Sequence, residues 1–317
     1  MKHELLAQDF VFMHRLSSSP DPFRLPPLTR RSVLGLAAAA TAAFAPRGAR
    51  ADLPLRIVST DYALAETLIA LDHPPVGLGD VPGWAEWVVA PPLPPATVDI
   101  GASLDPNLEV VASLKPDLIL TTDYTSGVEP QLSRIAPVER ITLYAPGLVP
   151  IDAARGATLR LGALTGREAQ ARALLARTDA FWQAGRAALA PYAQTPLLVL
   201  SLMDNRHVRV YAPVGLLDSA MRKLGLVNAW TGDGGFWGFE TVGIERLSEV
   251  GPAQIFLLEN VQEDAWEAIR QSTLWQALPA VRHRPVRRLP SVLMFGSLVA
   301  AQRFGEALLT AVPEAAS

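Results

Sequence analysis

TGREAQARALLARTDAFWQAGRAAL, residues 165–189, runs without a proline, and the next one in the chain is Pro191. The stretch opens with Thr165 and Glu168 in the T-x-x-E order of a capping box, where each side chain can satisfy a free backbone amide of the other. Ala169, Leu174, Leu175, Phe181 and Ala188 then recur at roughly helical spacing. The spacing predicts one helix of about 25 residues, roughly 37 Å long at 1.5 Å per residue. That is long for a globular protein, and the segments before and after it resemble each other. The helix is therefore expected to be a strut between two lobes.

On the N-terminal side, short apolar runs at 56–59, 76–79, 117–121 and 140–143 read as strands. Helical spacing at 62–71, with Asp61 as its cap, at 108–114 and at 126–135 lies between them. Residues 81–99 are proline-rich and carry Trp84 and Trp87, which suits a long ordered loop of functional type. On the C-terminal side the pattern restarts. Strands are expected at 196–202, 208–211, 254–258 and 286–289, and helices at 214–224, 244–248, 266–277 and 297–311, with a glycine- and aromatic-rich loop at 228–239. Leu108-Glu109-Val110-Val111, the Lys115-Pro116 break and the strand at 117–120 are echoed by 244–248, Gly251-Pro252 and 254–258. This two-copy repeat of short helix, proline break and apolar strand predicts an α/β fold. Two α/β lobes with mainly parallel sheets, joined by one long helix, are expected. The domains expected are 1–51 as a leader, 52–151 as the first lobe, 152–194 as a helical linker and 195–317 as the second lobe.

The leader reading rests on Thr29-Arg30-Arg31-Ser32-Val33-Leu34, a twin-arginine pattern. An apolar run at 33–44, too short to span a bilayer, follows it, and Ala49-Arg50-Ala51 supplies a small-x-small cleavage site. A soluble periplasmic protein starting near Asp52 is expected. The 317-residue chain holds 28 Lys/Arg and 31 Asp/Glu; seven and three of these precede residue 52, leaving 21 and 28 and a net charge of −7. No basic run remains, which argues against nucleic acid as a partner. There is no cysteine, so disulfides, thiolate metal sites and a Cys nucleophile are excluded.

Catalytic patterns are missing. There is no G-x-S-x-G elbow and no Walker sequence, and Gly77, Gly79 and Gly83 do not fit G-x-G-x-x-G. His73, His207 and His283 stand apart, without metal-ligand spacing. Aromatic residues instead gather on segments after the expected strands: Tyr62, Trp84, Trp87, Tyr124, Trp230, Phe236, Trp237 and Phe295. In open α/β sheets ligands sit beyond the carboxyl ends of strands. A rigid aromatic pocket between the lobes is expected, with Trp182, Trp266 and Trp275 assigned to packing because they lie on helices.

Several segments carry a family resemblance. They are Trp87-Val88 with Pro91-Pro92-Leu93-Pro94, Pro106-Asn107-Leu108-Glu109, Arg134-Ile135-Ala136-Pro137 and Asp204-Asn205-Arg206-His207. Asn228-Ala229-Trp230, Phe236-Trp237-Gly238 and the run 274–279 add to them. With these the chain resembles the periplasmic iron(III)-hydroxamate siderophore-binding proteins of ABC importers, in the helix-linked class of substrate-binding proteins. The resemblance implies capture of a ferric siderophore, with the chelator holding the iron, no metal ligands from the protein, no cofactor and no catalysis. It implies a monomer that delivers its ligand to an inner-membrane ABC permease. Pocket positions carried over are Tyr62, Trp87 and Trp237, with Tyr124 near the family's tyrosine and Phe295 as one ring where the family has two. Where the family places a hydroxamate-binding arginine this chain has Ser103, and Arg206 of the second lobe is the candidate replacement. Glu129 and Glu245 match the acidic residues with which such proteins dock on the permease. A corrinoid or haem is the alternative ligand, and an exported α/β enzyme is the alternative outside the class.

Overall fold

A computed structural model describes residues 54–258 and 263–312; the expected twin-arginine leader lies outside the described residues. Strand β1 (Ile57–Ser59) leads into helix α1 (Tyr62–Ala70), whose first amides are bonded by the Asp61 carboxylate. Strand β2 (Gly77–Leu78) follows. The stretch expected to be a plain loop then forms a 3-10 turn, the short helix α2 (Trp84–Trp87) and strand β3 (Val98–Asp99). Strands β4 (Gly101–Ala102) and β5 (Asp105–Pro106) make a hairpin with Ser103 and Leu104 at its tip. Helix α3 (Leu108–Ser113), capped by Asn107, strand β6 (Leu118–Thr121), helix α4 (Glu129–Leu132) and strand β7 (Val138–Arg140) complete this half.

The five main strands run parallel in the order β3-β2-β1-β6-β7. Strand β7 forms upstream of the expected 140–143 because its register is set by β6. Val138 lies level with Ile119, and the Ile119 amide donates to the Pro137 carbonyl. The β-branched run at 141–142 has the propensity but only its first amide finds a partner on β6, the Thr121 carbonyl.

The connection is two helices rather than one. Helix α5 (Pro150–Thr165) ends where Gly166 takes a left-handed φ of 66°, and helix α6 (Glu168–Ala188) starts two residues later. Thr165 is thus the last residue of α5, its hydroxyl donating to the Leu161 carbonyl at 2.7 Å, and the expected capping box does not form. The T-G pair closes a helix because glycine bears positive φ without a Cβ clash. The strut itself has 21 residues, about 32 Å at 1.5 Å per residue.

The second half contains β8 (Pro196–Leu202), β9 (His207–Tyr211), helix α7 (Leu216–Lys223), β10 (Val227–Asn228) and β11 (Phe239–Gly243). A 3-10 turn (Ile244–Glu249) precedes β12 (Gln254–Leu258). Helices α8 (Glu263–Gln271), α9 (Thr273–Ala277) and α10 (Pro279–His283) lead to β13 (Arg287–Leu289) and the closing helix α11 (Leu298–Ala311). The expected helix at 266–277 is split at Ser272, which caps the second piece through the Trp275 amide. The sheet order is β11-β9-β8-β12-β13 with β10 also beside β8, and β9 and β11 are antiparallel. The repeat is real in space: β6 lies beside β1, and β12 beside β8, both parallel.

One buried cluster joins the two sheets. It includes Leu64 and Leu120 from the first half, Leu161 and Trp182 from the connection, Val199 and Phe256 from the second half, and Phe304 of α11. Helix α11 packs on α1, α5, α6 and α7. Burial removes roughly 25 cal/mol of apolar hydration cost per Å², so the halves are held together by the same force that folds each. Among the described residues no helix is long and apolar enough to cross a membrane.

Candidate functional site

A cavity of about 610 Å³ opens beyond the carboxyl ends of the first sheet and is walled by both halves. From the first half come Tyr62 at the start of α1, Trp87 at the end of α2, Ser103 at the hairpin tip, and Asp123 and Tyr124 after β6. The Tyr62 ring stands edge-on to Trp84 at 5.6 Å, and its hydroxyl lies 2.8 Å from Asp80 Oδ2, to which it donates. Burial first, and then the bond to Asp80, push the Tyr62 hydroxyl well above the ordinary tyrosine range, so it is a neutral donor. Asp61 is raised by burial against the lowering effect of Thr122 and of the Ala63 and Leu64 amides.

The opposite wall is built by strand alternation. Val208 and Val210 of β9 enter the core of the second sheet, which turns Arg209 and Tyr211 toward the cavity. The Tyr211 hydroxyl is buried 3.0 Å from Ser201 Oγ. The Arg209 guanidinium lies 4.3 Å from the Phe239 ring centroid and donates weakly to Met294 Sδ at 3.5 Å. Its Nε is buried without a hydrogen-bond partner. Four rings link the walls: Tyr124 meets Trp237 at 5.9 Å, Trp237 meets Phe295 at 5.4 Å, and Phe295 meets Tyr144 at 5.7 Å. These edge-on contacts fix each ring against its neighbour. Tyr144 donates to the Gly296 carbonyl at 2.6 Å, which ties the first half to the loop before α11.

Six of the eight aromatic residues singled out by sequence line this cavity: Tyr62, Trp87, Tyr124, Phe236, Trp237 and Phe295. The other two do not. Trp84 is buried against Leu78 and Val88 and donates to the Pro91 carbonyl, and Trp230 is buried in the second sheet's core and donates to Glu240. Trp182 and Trp275 are buried, and Trp266 packs edge-on against Trp275. Tyr144, Tyr211 and Phe239 line the cavity without having stood out in sequence. Ser103 also lines the cavity, and among the described residues no arginine or lysine lines the same wall.

Arg206 is not brought to the cavity. It sits exposed on the turn between β8 and β9, where its amide donates to Asp204 Oδ1. Arg209, three residues on, is the arginine that lines the cavity, and the alternation His207-Val208-Arg209-Val210-Tyr211 was the signal for it. The two glutamates expected to dock on the permease differ in their surroundings. Glu129 follows β6 and is held by Thr121 and by both ends of the Arg140 guanidinium, which lowers its carboxyl below the ordinary value. Glu245 precedes β12 and is exposed, and no salt bridge to it is formed among the described residues. Its counterpart in the repeat is Glu109, exposed on α3 before β6, and not Glu129. Among the described residues no three His, Asp or Glu side chains gather to hold a metal ion.

Residues 57–293 match the family described as periplasmic binding protein. The chain is 30% identical over 262 residues to the iron(3+)-hydroxamate-binding protein FhuD of Escherichia coli K12, covering 82% of this chain and 87% of that one. It is 28% identical to the ferric enterobactin-binding periplasmic protein FepB of E. coli O6:H1, over 74% and 79% of the two chains. The Vibrio cholerae siderophore-binding protein FhuD, solved with Fe3+–Desferal bound, superposes with a TM-score of 0.77 at 26% identity, over 82% of this chain and 98% of that one. The chain therefore belongs to the periplasmic binding protein family, a family of extracytoplasmic substrate-binding proteins rather than enzymes.

Proposed function

We propose that the protein captures a ferric siderophore of hydroxamate type in the aromatic cavity and delivers it to an ABC permease in the inner membrane. The observation that carries this is a cavity of about 610 Å³ walled by rings from both halves, in a chain similar over 82% of its length to a hydroxamate-binding protein. Trp87, Trp237 and Phe295 contact the chelator, and Tyr62, Tyr124 and Ser103 orient it. Arg209 takes the part that the resemblance gives to an arginine of the first half. The iron is cargo, held by its chelator. The protein acts as a monomer in the periplasm and reaches it through the twin-arginine pathway. Docking on the permease uses Glu129 and Glu245, one carboxylate from each half.

Tryptophan-fluorescence titration with a panel of ferric hydroxamates, cobalamin and haem tests the ligand class. Saturable quenching by the hydroxamates at micromolar or lower concentration is expected. Quenching by haem or cobalamin alone would overturn the reading in favour of another ligand of the same fold. N-terminal sequencing of the periplasmic protein tests the export route, with a start near Asp52 expected and an intact Met1 against it.

A further inference from the structure

The cavity is polarised in charge. Strands β2, β1 and β6 lie side by side and parallel, with Ser59 level with both Leu78 and Leu120. Asp80, Asp61 and Asp123 follow the carboxyl ends of these three strands, so one wall carries a row of three carboxylates. Asp61 is committed to the fold: it caps α1 and accepts from Thr122 Oγ1 at 3.0 Å. The other two keep acceptor capacity that the fold does not use. Asp123 Oδ2 is buried and has no hydrogen-bond partner, and Asp80 accepts one side-chain bond, from Tyr62. Arg209 is the one cationic lining residue among those described, and it lies on the opposite wall, stacked on a ring rather than paired with a carboxylate.

Ferric chelates fall into charge classes. Three hydroxamates, each a monoanion, neutralise a ferric ion, whereas three catecholates, each a dianion, leave the complex trianionic. An anionic complex entering this cavity would meet more carboxylate than guanidinium at close range. Like charges in a partly desolvated site repel far more than they do in water. A primary ammonium has three donors and no acceptor, which suits the unused carboxylate oxygens of Asp80 and Asp123.

We infer that the cavity selects a ferric chelate that is neutral at the metal and carries a primary ammonium arm. The arm lies against Asp80 and Asp123, and the chelate's oxygen face turns toward Arg209. This rests on the reading of the cavity as a ferric-siderophore site. The test is a fluorescence titration with Fe3+–Desferal, whose chain ends in a primary amine, and with its N-acetylated form, which has the same ferric core and no charge on the arm. Acetylation is expected to weaken binding about tenfold, and the difference to shrink as salt is raised. In the double variant Asp80→Asn, Asp123→Asn the two complexes are expected to bind alike. Equal affinity of the wild-type protein for both complexes overturns the inference, whatever the variant does, and so does equally tight binding of the tris-catecholate ferric enterobactin. Failure of every ferric chelate to bind would instead overturn the ferric-siderophore reading itself.

Discussion

Arg209 and Glu66 are ionisable side chains that each leave a buried atom without a partner, and each predicts something measurable. Arg209 stacks on Phe239, and its buried Nε lacks an acceptor. A chelate oxygen supplies one, and charge-assisted bonds are roughly twice as strong as neutral ones. Arg209→Ala is expected to weaken ferric-hydroxamate binding by about ten- to a hundredfold, with Arg209→Lys recovering only part, since lysine lacks the planar fork. Unchanged affinity in the titration would remove Arg209 from the site. Glu66 is fully buried on α1, and its Oε1 accepts from the Ser297 amide at 2.6 Å, Ser297 Oγ at 2.9 Å and the Ala300 amide at 3.4 Å, while Oε2 has no partner. Burial raises its carboxyl from 4.5 to about 7, against these bonds and the Arg303 charge. Between those values the folded chain keeps a proton that the unfolded chain has released, so this group's contribution to stability falls as pH rises through the window and levels off above it. Glu66→Gln keeps an acceptor and cannot ionise. It is expected to gain about 3 kcal/mol relative to wild type between about pH 4 and pH 8, measured by denaturant unfolding. A pH-independent difference between the two proteins would refute this.

At the scale of elements, the junction of α5 and α6 separates two readings of the same four residues. In Thr165-Gly166-Arg167-Glu168 the T-x-x-E order suggests a helix start, yet Gly166 sits at a φ of 66° and closes the preceding helix. Thr165→Ala is therefore expected to cost less than about 0.5 kcal/mol, as a residue that caps nothing. Gly166→Ala is expected to cost about 1–2 kcal/mol, because alanine is strained in the left-handed region. The reverse ranking in chemical denaturation would restore the capping box. The other elements were legible to differing degrees. Strands β6, β8 and β12 are continuous apolar runs and were visible as such. Strand β7 was displaced because register with a neighbour, not local propensity, chooses which residues of 138–143 are bonded. Strand β11 was not expected at all: Phe239–Gly243 has little apolar content, and its pairing with β9 is what makes it a strand.

At the scale of the molecule, the shared core matters most. Helix α11 carries Phe304, with no exposed surface, into a cluster that contains residues of both sheets. Phe304→Ala is expected to destabilise the whole protein by about 3–5 kcal/mol in one transition, seen as a single cooperative melt. Two separate melting steps would show that the halves fold independently. A common core and a helical connection also leave little room for hinge motion. Ligand binding is expected to change the radius of gyration by less than about 1 Å, measurable by small-angle scattering. Permease docking belongs to this scale too. The double change Glu129→Ala, Glu245→Ala is expected to abolish uptake while leaving ligand affinity intact. Lost ligand affinity instead would assign the two residues to the pocket or to the fold.

Apolar periodicity, the proline breaks and the repeat of 108–120 in 244–258 were enough to determine an α/β chain with two sheets, a helical connection and aromatic loops at strand ends. Those features are local, because each depends on a few neighbouring residues and on the two periods of backbone geometry. The roles of the individual side chains were not local. Whether Trp84 faces a cavity or a core, whether Arg206 or Arg209 reaches the ligand, and whether Glu109 or Glu129 mirrors Glu245 depend on which face of an element its neighbours bury. The long helix at 168–188 was visible in the sequence, but the core it shares with both sheets was not, because that core is assembled from residues up to about 250 positions apart that meet only when their apolar surfaces leave water together.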